Sequence, residues 1–359
     1  MPVIPLLKPS PSPAEIKAVK RVLQSSWWGL GPVTAQLETA FAAFVGTTYA
    51  IAVNSCSAAL HLSVHILSRR FPKKTNLVTT PLTFISTAAA GLYENLEVRF
   101  GDIEEQTLCL DPQDALAKAD ALTLTIIPVH YAGILSPIPQ TPLPIIEDCA
   151  HAAGTPGAGH SSLLACWSFH PVKNIATGDG GMITTNDRQL AAELRRLRWL
   201  GIDQDTWARE QKGYNWEYQI PSLGFKYHTN DIMSAIALEQ LKRLPTLNRR
   251  RRRLAKRYRT GLKDLPLILP PPSGSWHLYP IRLHRASLRP RLIQYLRDHH
   301  ISVGVHYQPL HHYPFFNWHQ PLPVTDRVYP TLLDLPIFPD MTLAEQDYVI
   351  HTLHDFYNL

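Results

Sequence analysis

The chain has 359 residues, of which 45% are hydrophobic and 18% are charged, and its formal net charge is +6. This composition supports a large buried core and excludes wholesale disorder, and the length favours one larger and one smaller domain. No run approaches the roughly 18 apolar residues of a membrane span, and residues 1–20 lack the apolar segment of a secretory signal. The four cysteines are scattered through mostly apolar segments, which favours free thiols. We therefore expect a cytoplasmic protein that does not enter a membrane.

Strand and helix patterns alternate along most of the chain, which predicts an α/β fold with a mainly parallel sheet and helices on both faces. Helices are predicted at residues 12–23, 34–45, 58–69 and 84–92. Buried strands are predicted at residues 49–53, 77–80, 97–100, 122–129, 144–146, 167–169 and 182–185. Beyond residue 244 the sequence predicts a basic helix, a proline-rich connection at 266–272, strands at 279–283 and 301–305, and a helix at 288–299. We predict a larger domain at 1–244 and a smaller α+β domain at 245–359.

The segment after the first predicted strand resembles a phosphate-binding turn. The strand runs into Asn54-Ser-Cys-Ser57, and a helix follows without a break. The free N–H groups and the dipole of a helix N-terminus both favour an anion there. A plain serine N-cap is the alternative.

Lys173 lies between a short aromatic strand and a turn that contains Gly178, Gly180 and Gly181. Burial among apolar and turn residues lowers the pKa of an ammonium group, and the free amine can condense with a carbonyl. Ser168, just upstream, can offer its hydroxyl to a phosphate. The alternative is a lysine whose ammonium reaches solvent from a β-turn.

Asp148 follows the predicted strand at 144–146. Ligands of parallel sheets bind beyond the carboxyl ends of the strands, so this carboxylate is expected in the same crevice as Lys173. A lone aspartate at a strand end is more often an N-cap. Together with the amine of Lys173 and the phosphate-binding turn, however, this carboxylate fits a pyridine cofactor whose ring nitrogen it keeps protonated. Phe84 could stack on the face of such a ring.

Several motifs occur in a characteristic order along the chain. The first are Ser-Cys-Ser-Ala-Ala-Leu-His61, Pro-Leu-Thr-Phe84, His-Tyr-Ala-Gly133, Glu-Asp-Cys-Ala-His151 and Ser-Phe-His-Pro-Val-Lys173-Asn. They are followed by Gly-Phe-Lys-Tyr-His-Thr-Asn-Asp231, Val305-His-Tyr-Gln-Pro-Leu-His311 and Leu335-Pro-Ile-Phe-Pro339. In this order they resemble the DegT/DnrJ/EryC1/StrS family of pyridoxal-phosphate (PLP) sugar aminotransferases, over nearly the whole chain. The resemblance implies the aspartate aminotransferase fold, fold type I.

The resemblance also implies roles for individual residues. Lys173 would bond covalently to the cofactor and shuttle a proton between cofactor and substrate, Asp148 would pair with the ring nitrogen, and His151 would lie near the ring hydroxyl. Further cofactor contacts are expected from Cys56, Ser57, Phe84, Ser168, Lys226 and His228. Substrate contacts are expected from His130, Tyr131, His306 and Tyr307.

Two positions depart from the family pattern. Most members have Gly or Ala at the position of Cys56, which is tolerable if the contact is made by the backbone N–H. Many members have Asn at the position of Lys226, where it reaches the cofactor phosphate of the neighbouring subunit. A lysine can replace that amide but fixes the geometry less tightly, and a surface lysine is the alternative. The resemblance implies a homodimer with shared active sites.

The resemblance implies L-glutamate as the amino donor, released as 2-oxoglutarate, while PLP alternates with its amine form, pyridoxamine phosphate (PMP). The aromatic segment 199–218 is similar to that of members that aminate C4 of UDP-linked keto sugars, although dimer packing is another possible role. A dehydratase of the same family is an alternative, but those members lack the lysine. A regulatory or sensor protein without activity is the other alternative.

Two other features of the sequence raise the question of a further binding site. The arginine-rich helix at 249–259 keeps an apolar stripe, so we expect its arginines on the solvated face and no nucleic-acid partner. The histidines at 306–319 are not spaced as a compact ligand pair on a helix, so we predict no metal site.

Overall fold

The computed structural model describes residues 2–211, 216–271 and 274–358. Its α-helices are α1 (Pro13–Gln24), α2 (Pro32–Val45), α3 (Cys56–Arg70), α4 (Ile85–Leu92), α5 (Pro112–Lys118), α6 (Arg188–Leu197), α7 (Thr206–Glu210), α8 (Asp231–Leu262), α9 (Arg289–Asp298), α10 (Pro323–Val328) and α11 (Leu343–Asn358). Its β-strands are β1 (Tyr49–Val53), β2 (Asn76–Thr79), β3 (Glu97–Phe100), β4 (Thr123–Ile127), β5 (Ile146–Asp148), β6 (Leu164–Ser168), β7 (Gly181–Thr185), β8 (Leu267–Ile268), β9 (Tyr279–Leu283) and β10 (Leu332–Leu335).

The central sheet has the order β3-β2-β4-β5-β6-β7-β1, in which isolated bridges from Ile126 to Ile145 and from Val129 to Asp148 join β4 to β5. Strand β7 is antiparallel to both of its neighbours, and the other strands run in one direction. Strands β2, β4, β5, β6 and β7 are buried along their whole length, as expected for a sheet that is covered on both faces. The prediction of an α/β fold with a mainly parallel sheet is confirmed.

A second sheet, with the antiparallel order β10-β9-β8, forms part of a separate hydrophobic core near the C-terminus. The prediction of a strand at residues 301–305 is wrong. Only Ile301 and Gly304 form bridges, with Ile4 and Asp334 respectively, so the alternating apolar pattern of this segment is satisfied by packing and not by a continuous ladder.

Helix α8 runs through the predicted domain boundary and contains Pro245. It packs on α1, α2 and α11. The prediction that the arginines of this helix lie on its solvated face is wrong for one of them. Arg251 is buried and donates to the carbonyl oxygen of Ile337 at 3.1 Å. The division at residues 244 and 245 stays a prediction.

In the described part of the chain, no helix combines the length and apolarity that a membrane span needs.

The topology places three strand ends at one edge of the sheet. Strands β1, β5 and β6 run in the same direction, so their carboxyl ends meet there. They end at Val53, Asp148 and Ser168. The N-terminus of α3 follows β1 directly, and this edge of the sheet is therefore where a ligand is expected.

Candidate active site

A cavity of about 410 Å³ opens at this edge, a volume typical of sites for small molecules. Its wall includes these residues predicted from the sequence: Cys56, Ser57, Phe84, Asp148, His151, Ser168, Lys173, His306 and Tyr307. Another cavity, of about 500 Å³, lies beside residues 135–145, but Glu147 is the one ionisable residue in its described wall. The chemistry of the wall, and not its volume, therefore identifies the candidate active site.

Asp148 is a buried carboxylate at the end of β5. One oxygen, Oδ2, accepts a hydrogen bond from the Thr87 hydroxyl at 2.8 Å, and Oδ1 accepts one from the Ala150 N–H at 3.0 Å. Burial raises the pKa of this carboxyl, although both hydrogen bonds oppose the change. Among the described residues no lysine, arginine or histidine nitrogen forms an ion pair with it. The site therefore contains a buried acid that forms no ion pair, and a ligand that carries a cation would offset the cost of burying it.

Lys173 is half-buried in the turn after β6. Burial lowers the pKa of its ammonium group to about 8, although Cys56 and Asp148 favour the charged form. Its Nζ lies 3.4 Å from Nε2 of His277. Burial, and then the charge of Lys173, lower the pKa of His277, so that imidazole is neutral and can accept a hydrogen bond from the amine. The lysine is therefore held at a fixed point in the cavity, with a raised fraction of free amine.

His151 is buried between two other rings of the site. Its Nδ1 accepts the N–H of Ala132 at 3.3 Å, so the proton is on Nε2, which lies 3.0 Å from the Tyr307 hydroxyl. Burial lowers the pKa of His151 and keeps it neutral. The ring centres of His151 and His277 are 4.4 Å apart. These contacts fix the orientation of the imidazole at the cavity wall.

The N-terminus of α3 forms the other end of the cavity. Ser55 is the N-cap, and its hydroxyl accepts a backbone N–H of the first turn at 3.1 Å. The N–H groups of Cys56 and Ser57 have no partner within the helix because they lie in its first turn. The hydroxyls of Ser57 and Ser86 are 2.6 Å apart. The serine cap that the sequence offered as an alternative is present, and it leaves the anion-binding N–H groups free.

Gly181 allows β7 to approach this turn closely. A Cβ at this position would lie 2.6 Å from the carbonyl oxygen of Ser55, a distance that real Cβ atoms do not adopt. Gly181 pairs with Ser168, the last residue of β6, whose side chain lines the cavity. The glycine thereby lets the strand end and the helix N-terminus share one small concave surface.

Phe84 occupies the N-cap position of α4 and is 57% exposed, which is unusual for a phenylalanine. Its ring centre lies 6.1 Å from that of Tyr307. The free face of the ring at the cavity mouth can stack on a planar ligand.

Two predicted substrate residues are not brought to the cavity. His130 is fully buried, with Nε2 2.7 Å from a carboxylate oxygen of Glu147 and Nδ1 accepting the N–H of Ser136 at 3.0 Å. Tyr131 is also buried, and its hydroxyl donates to the carbonyl oxygen of His306. Since their polar atoms are already bonded inside the protein, neither side chain lines the cavity.

Lys226 and His228 lie on the segment before α8, outside the wall of this cavity. Nζ of Lys226 lies 3.7 Å from the centre of the Trp199 ring, and the ring of His228 meets the same tryptophan edge-on at 4.2 Å. Burial lowers the pKa of His228 to about 4, so it is neutral. In the segment 199–218, residues 212–215 lie outside the described residues.

The sequence did not point to two residues of the site. Thr87 lies one helical turn after Thr83, and this spacing at the start of α4 could have suggested it. His277 comes from the segment before β9, about a hundred residues from Lys173, and no motif marks it. Only the tertiary structure brings it to the amine.

The fold agrees with comparisons to known proteins. The sequence profile described as the DegT/DnrJ/EryC1/StrS aminotransferase family matches residues 10–354. The chain belongs to this family. It is 34% identical to the spore coat polysaccharide biosynthesis protein SpsC of Bacillus subtilis, over 95% of this chain and 94% of that protein.

Solved structures of similar proteins include Helicobacter pylori PseC, an aminotransferase involved in the biosynthesis of pseudoaminic acid. It is 25% identical with a TM-score of 0.91, and the match covers 99% of each chain. The sugar aminotransferase CalS13 of Micromonospora echinospora is 27% identical with a TM-score of 0.88, over 98% of this chain and 99% of that one. Spr1654 of Streptococcus pneumoniae, solved in a PMP form, is 26% identical with a TM-score of 0.90, over 99% of each chain. The present protein is therefore a sugar aminotransferase, a transaminase that uses PLP, and the alternative of a protein without activity is set aside.

The residues of this aminotransferase fit its cofactor. The buried, unpaired Asp148 matches a protonated ring nitrogen, and the Lys173 amine matches an aldehyde. The free N–H groups at the start of α3 match a phosphate. The ring nitrogen, the aldehyde and the phosphate of PLP therefore each have a complementary group in the same cavity.

Proposed function

We propose that this enzyme transfers the amino group of L-glutamate to the keto carbon of a nucleotide-linked sugar, with UDP-linked 4-keto sugars as its first candidate acceptors. The observation that carries the proposal is the Lys173 amine, which lines one cavity with the buried and unpaired Asp148. A dehydratase of the same family is disfavoured because such members lack the lysine.

In the proposed mechanism Lys173 is the group that moves protons. PLP, when bound, supplies an electrophilic aldehyde and a protonated ring that stabilises negative charge on the neighbouring carbon. Nζ of Lys173 would take a proton from the donor carbon and pass it to the cofactor carbon that bears the nitrogen. In the second half-reaction it would carry a proton from that carbon to the sugar carbon. A pKa of about 8 suits both directions, because general acids and bases work best when their pKa is near the working pH. Nε2 of His277 lies 3.4 Å from Nζ of Lys173 and holds the amine in position.

The other residues hold the cofactor in place. Asp148, oriented by Thr87 and the Ala150 N–H, would keep the ring nitrogen protonated. His151 would contact the ring hydroxyl from its position beside Tyr307. The N–H groups of Cys56 and Ser57, with the hydroxyls of Ser57 and Ser168, would bind the phosphate, and Phe84 would cover the face of the ring. Their arrangement around one cavity supports these roles.

Several features support a charged sugar nucleotide as the acceptor. The net charge of +6 suits an anionic ligand. His306 and Tyr307 line the cavity, and Asp334 accepts from Nδ1 of His306 at 2.9 Å, which leaves Nε2 free for a substrate oxygen. We further propose a homodimer in which Lys226 reaches the cofactor phosphate of a second copy. Its position outside the cavity of its own chain is consistent with that role.

The proposed compartment is the cytoplasm. The four cysteines are free, and three of them are buried. Unpaired thiols of this kind are typical of reducing compartments.

The test uses the holoenzyme with L-glutamate and a panel of UDP-, dTDP- and GDP-linked 4-keto sugars. We expect the visible absorbance of the cofactor to shift on adding glutamate, and mass spectrometry to detect 2-oxoglutarate and the amino sugar. Lys173→Ala should lose both signals. Lys242→Ala, which removes an exposed lysine from α8, should keep them. A holoenzyme that responds to other amino donors but not to glutamate would refute the proposal that L-glutamate is the donor. Turnover of free sugars but not of nucleotide-linked sugars would refute the proposed acceptor class.

A further inference from the structure

Two histidines of α3 and one glutamate after α4 form a compact cluster outside the active site. His61 and His65 are four residues apart and therefore lie on the same face of the helix. Glu94 Oε1 lies 2.9 Å from Nε2 of His61 and 2.9 Å from Nδ1 of His65. All three ligand atoms lie within 4.8 Å of one another. We propose that this cluster binds a divalent transition-metal ion, with Zn²⁺ as the expected occupant.

The ligand types and their separation suit such an ion. Imidazole and carboxylate ligands bind Zn²⁺ in tetrahedral geometry with bonds of roughly 2.1 Å, which places neighbouring ligand atoms roughly 3.4 Å apart. The present separations of 2.9 Å therefore need to open by only about 0.5 Å. The side chains of His61, His65 and Glu94 are 7%, 16% and 15% exposed, so the cluster is sheltered but open to exchange. Water would be the fourth ligand.

The surroundings of the cluster provide the support that metal ligands need. The Tyr227 hydroxyl lies 3.0 Å from Nδ1 of His61, the nitrogen opposite the one that would bind the ion. A ligating histidine normally gives its other N–H to such a partner, which fixes the tautomer and the ring orientation. The ring of Phe225 meets both imidazoles edge-on, with ring centres 4.8 Å from His61 and 5.0 Å from His65. Both rings are therefore held with their nitrogens towards Glu94.

The sequence prediction of no metal site rested on the C-terminal histidines. Their cluster of His311, His312 and Asp326 has a carboxylate that is 49% exposed. The α3 pair instead has the four-residue spacing of a helical ligand pair, and its carboxylate is sheltered. The bound ion would link α3, whose N-terminus forms the phosphate end of the active site, to the end of α4 and to the segment that carries Lys226. We therefore expect it to stabilise the fold around the active site without taking part in the reaction.

The first experiment titrates chelator-treated holoenzyme with Zn²⁺ by isothermal titration calorimetry. We expect wild type to bind one equivalent per chain, and Mg²⁺ to give no heat. His65→Gln and Glu94→Gln should lose this binding, while Tyr227→Phe should weaken it by roughly 10–100-fold because it removes the support of His61. The matched control, His312→Gln, disables the C-terminal cluster and should bind as wild type does. Zn²⁺ should also raise the melting temperature of wild type but not of His65→Gln.

A second measurement does not depend on how the variants fold. Anomalous diffraction from wild-type crystals grown with Zn²⁺ should place an ion between His61, His65 and Glu94. The proposal is refuted if wild type binds no Zn²⁺, if the ion lies elsewhere, or if folded His65→Gln binds as tightly as wild type. Loss of binding in His312→Gln alone would assign the metal to the other cluster and would also refute it.

Discussion

The half-buried amine of Lys173 should destabilise the enzyme when the cofactor is absent. The ordinary pKa of a lysine is 10.5, and burial lowers that of Lys173 to about 8. One pKa unit corresponds to about 1.4 kcal/mol, so at pH 7 the folded apoenzyme bears a cost of up to about 3 kcal/mol for holding this ammonium group. The side chain is only half-buried, so solvent screening makes this figure an upper limit. Lys173→Met keeps the length of the side chain and removes the charge. We therefore expect the variant apoenzyme to be more stable than wild type at pH 7.

The sign of the pH dependence follows from proton binding. Between pH 8 and 10.5 the unfolded chain holds a proton on this lysine that the folded chain has largely lost. The free energy of unfolding of wild type therefore rises with pH in this window, relative to the variant. The advantage of Lys173→Met should fall from about 3 kcal/mol at pH 7 to about 1 kcal/mol at pH 10.

The assay is urea unfolding of cofactor-free protein, followed by tryptophan fluorescence at one protein concentration and at pH 7, 8, 9 and 10. Comparing wild type with Lys173→Met at each pH cancels the titration of other groups that behave alike in both proteins. Lys242→Met, which replaces an exposed lysine, is the control and should show no pH-dependent difference. A constant difference between wild type and Lys173→Met from pH 7 to 10, or a variant that is less stable at pH 7, would refute the reasoning.

Three further predictions concern the site and its support. Asp148→Asn should lower kcat/KM by at least roughly 100-fold in steady-state assays, because it removes the charge that faces the ring nitrogen; unchanged turnover would exclude the proposed role. Gly181→Ala should weaken PLP binding by roughly 10–100-fold in fluorescence titrations, because the new methyl group would lie 2.6 Å from the Ser55 carbonyl oxygen; wild-type affinity would show that the turn can adjust without cost. Glu38→Gln should lower the free energy of unfolding by about 3 kcal/mol in urea, because it leaves the buried Arg198 without its charged partner; a loss below about 1 kcal/mol would contradict this.

Local patterns were sufficient for much of the fold. Strands 49–53, 97–100 and 279–283 occur at the bounds that the apolar, β-rich runs predicted, because short buried strands are set by composition and flanking turns. Segment 301–305 has a similar pattern but finds ladder partners at only two residues. Whether a strand forms there depends on which edge of a sheet is available, and that is a tertiary property.

The sequence alone was sufficient to predict the family from the order of its motifs, and it predicted Lys173 and Asp148 as an amine and an acid for one cofactor. Which side chains face the cavity depends on the tertiary structure. It turned His130 inward, because both of its ring nitrogens find partners in the core, and it brought His277 to the lysine from a distant segment. Motifs record which residues a reaction uses, but packing sets the direction of each side chain, and packing depends on residues far apart in the chain.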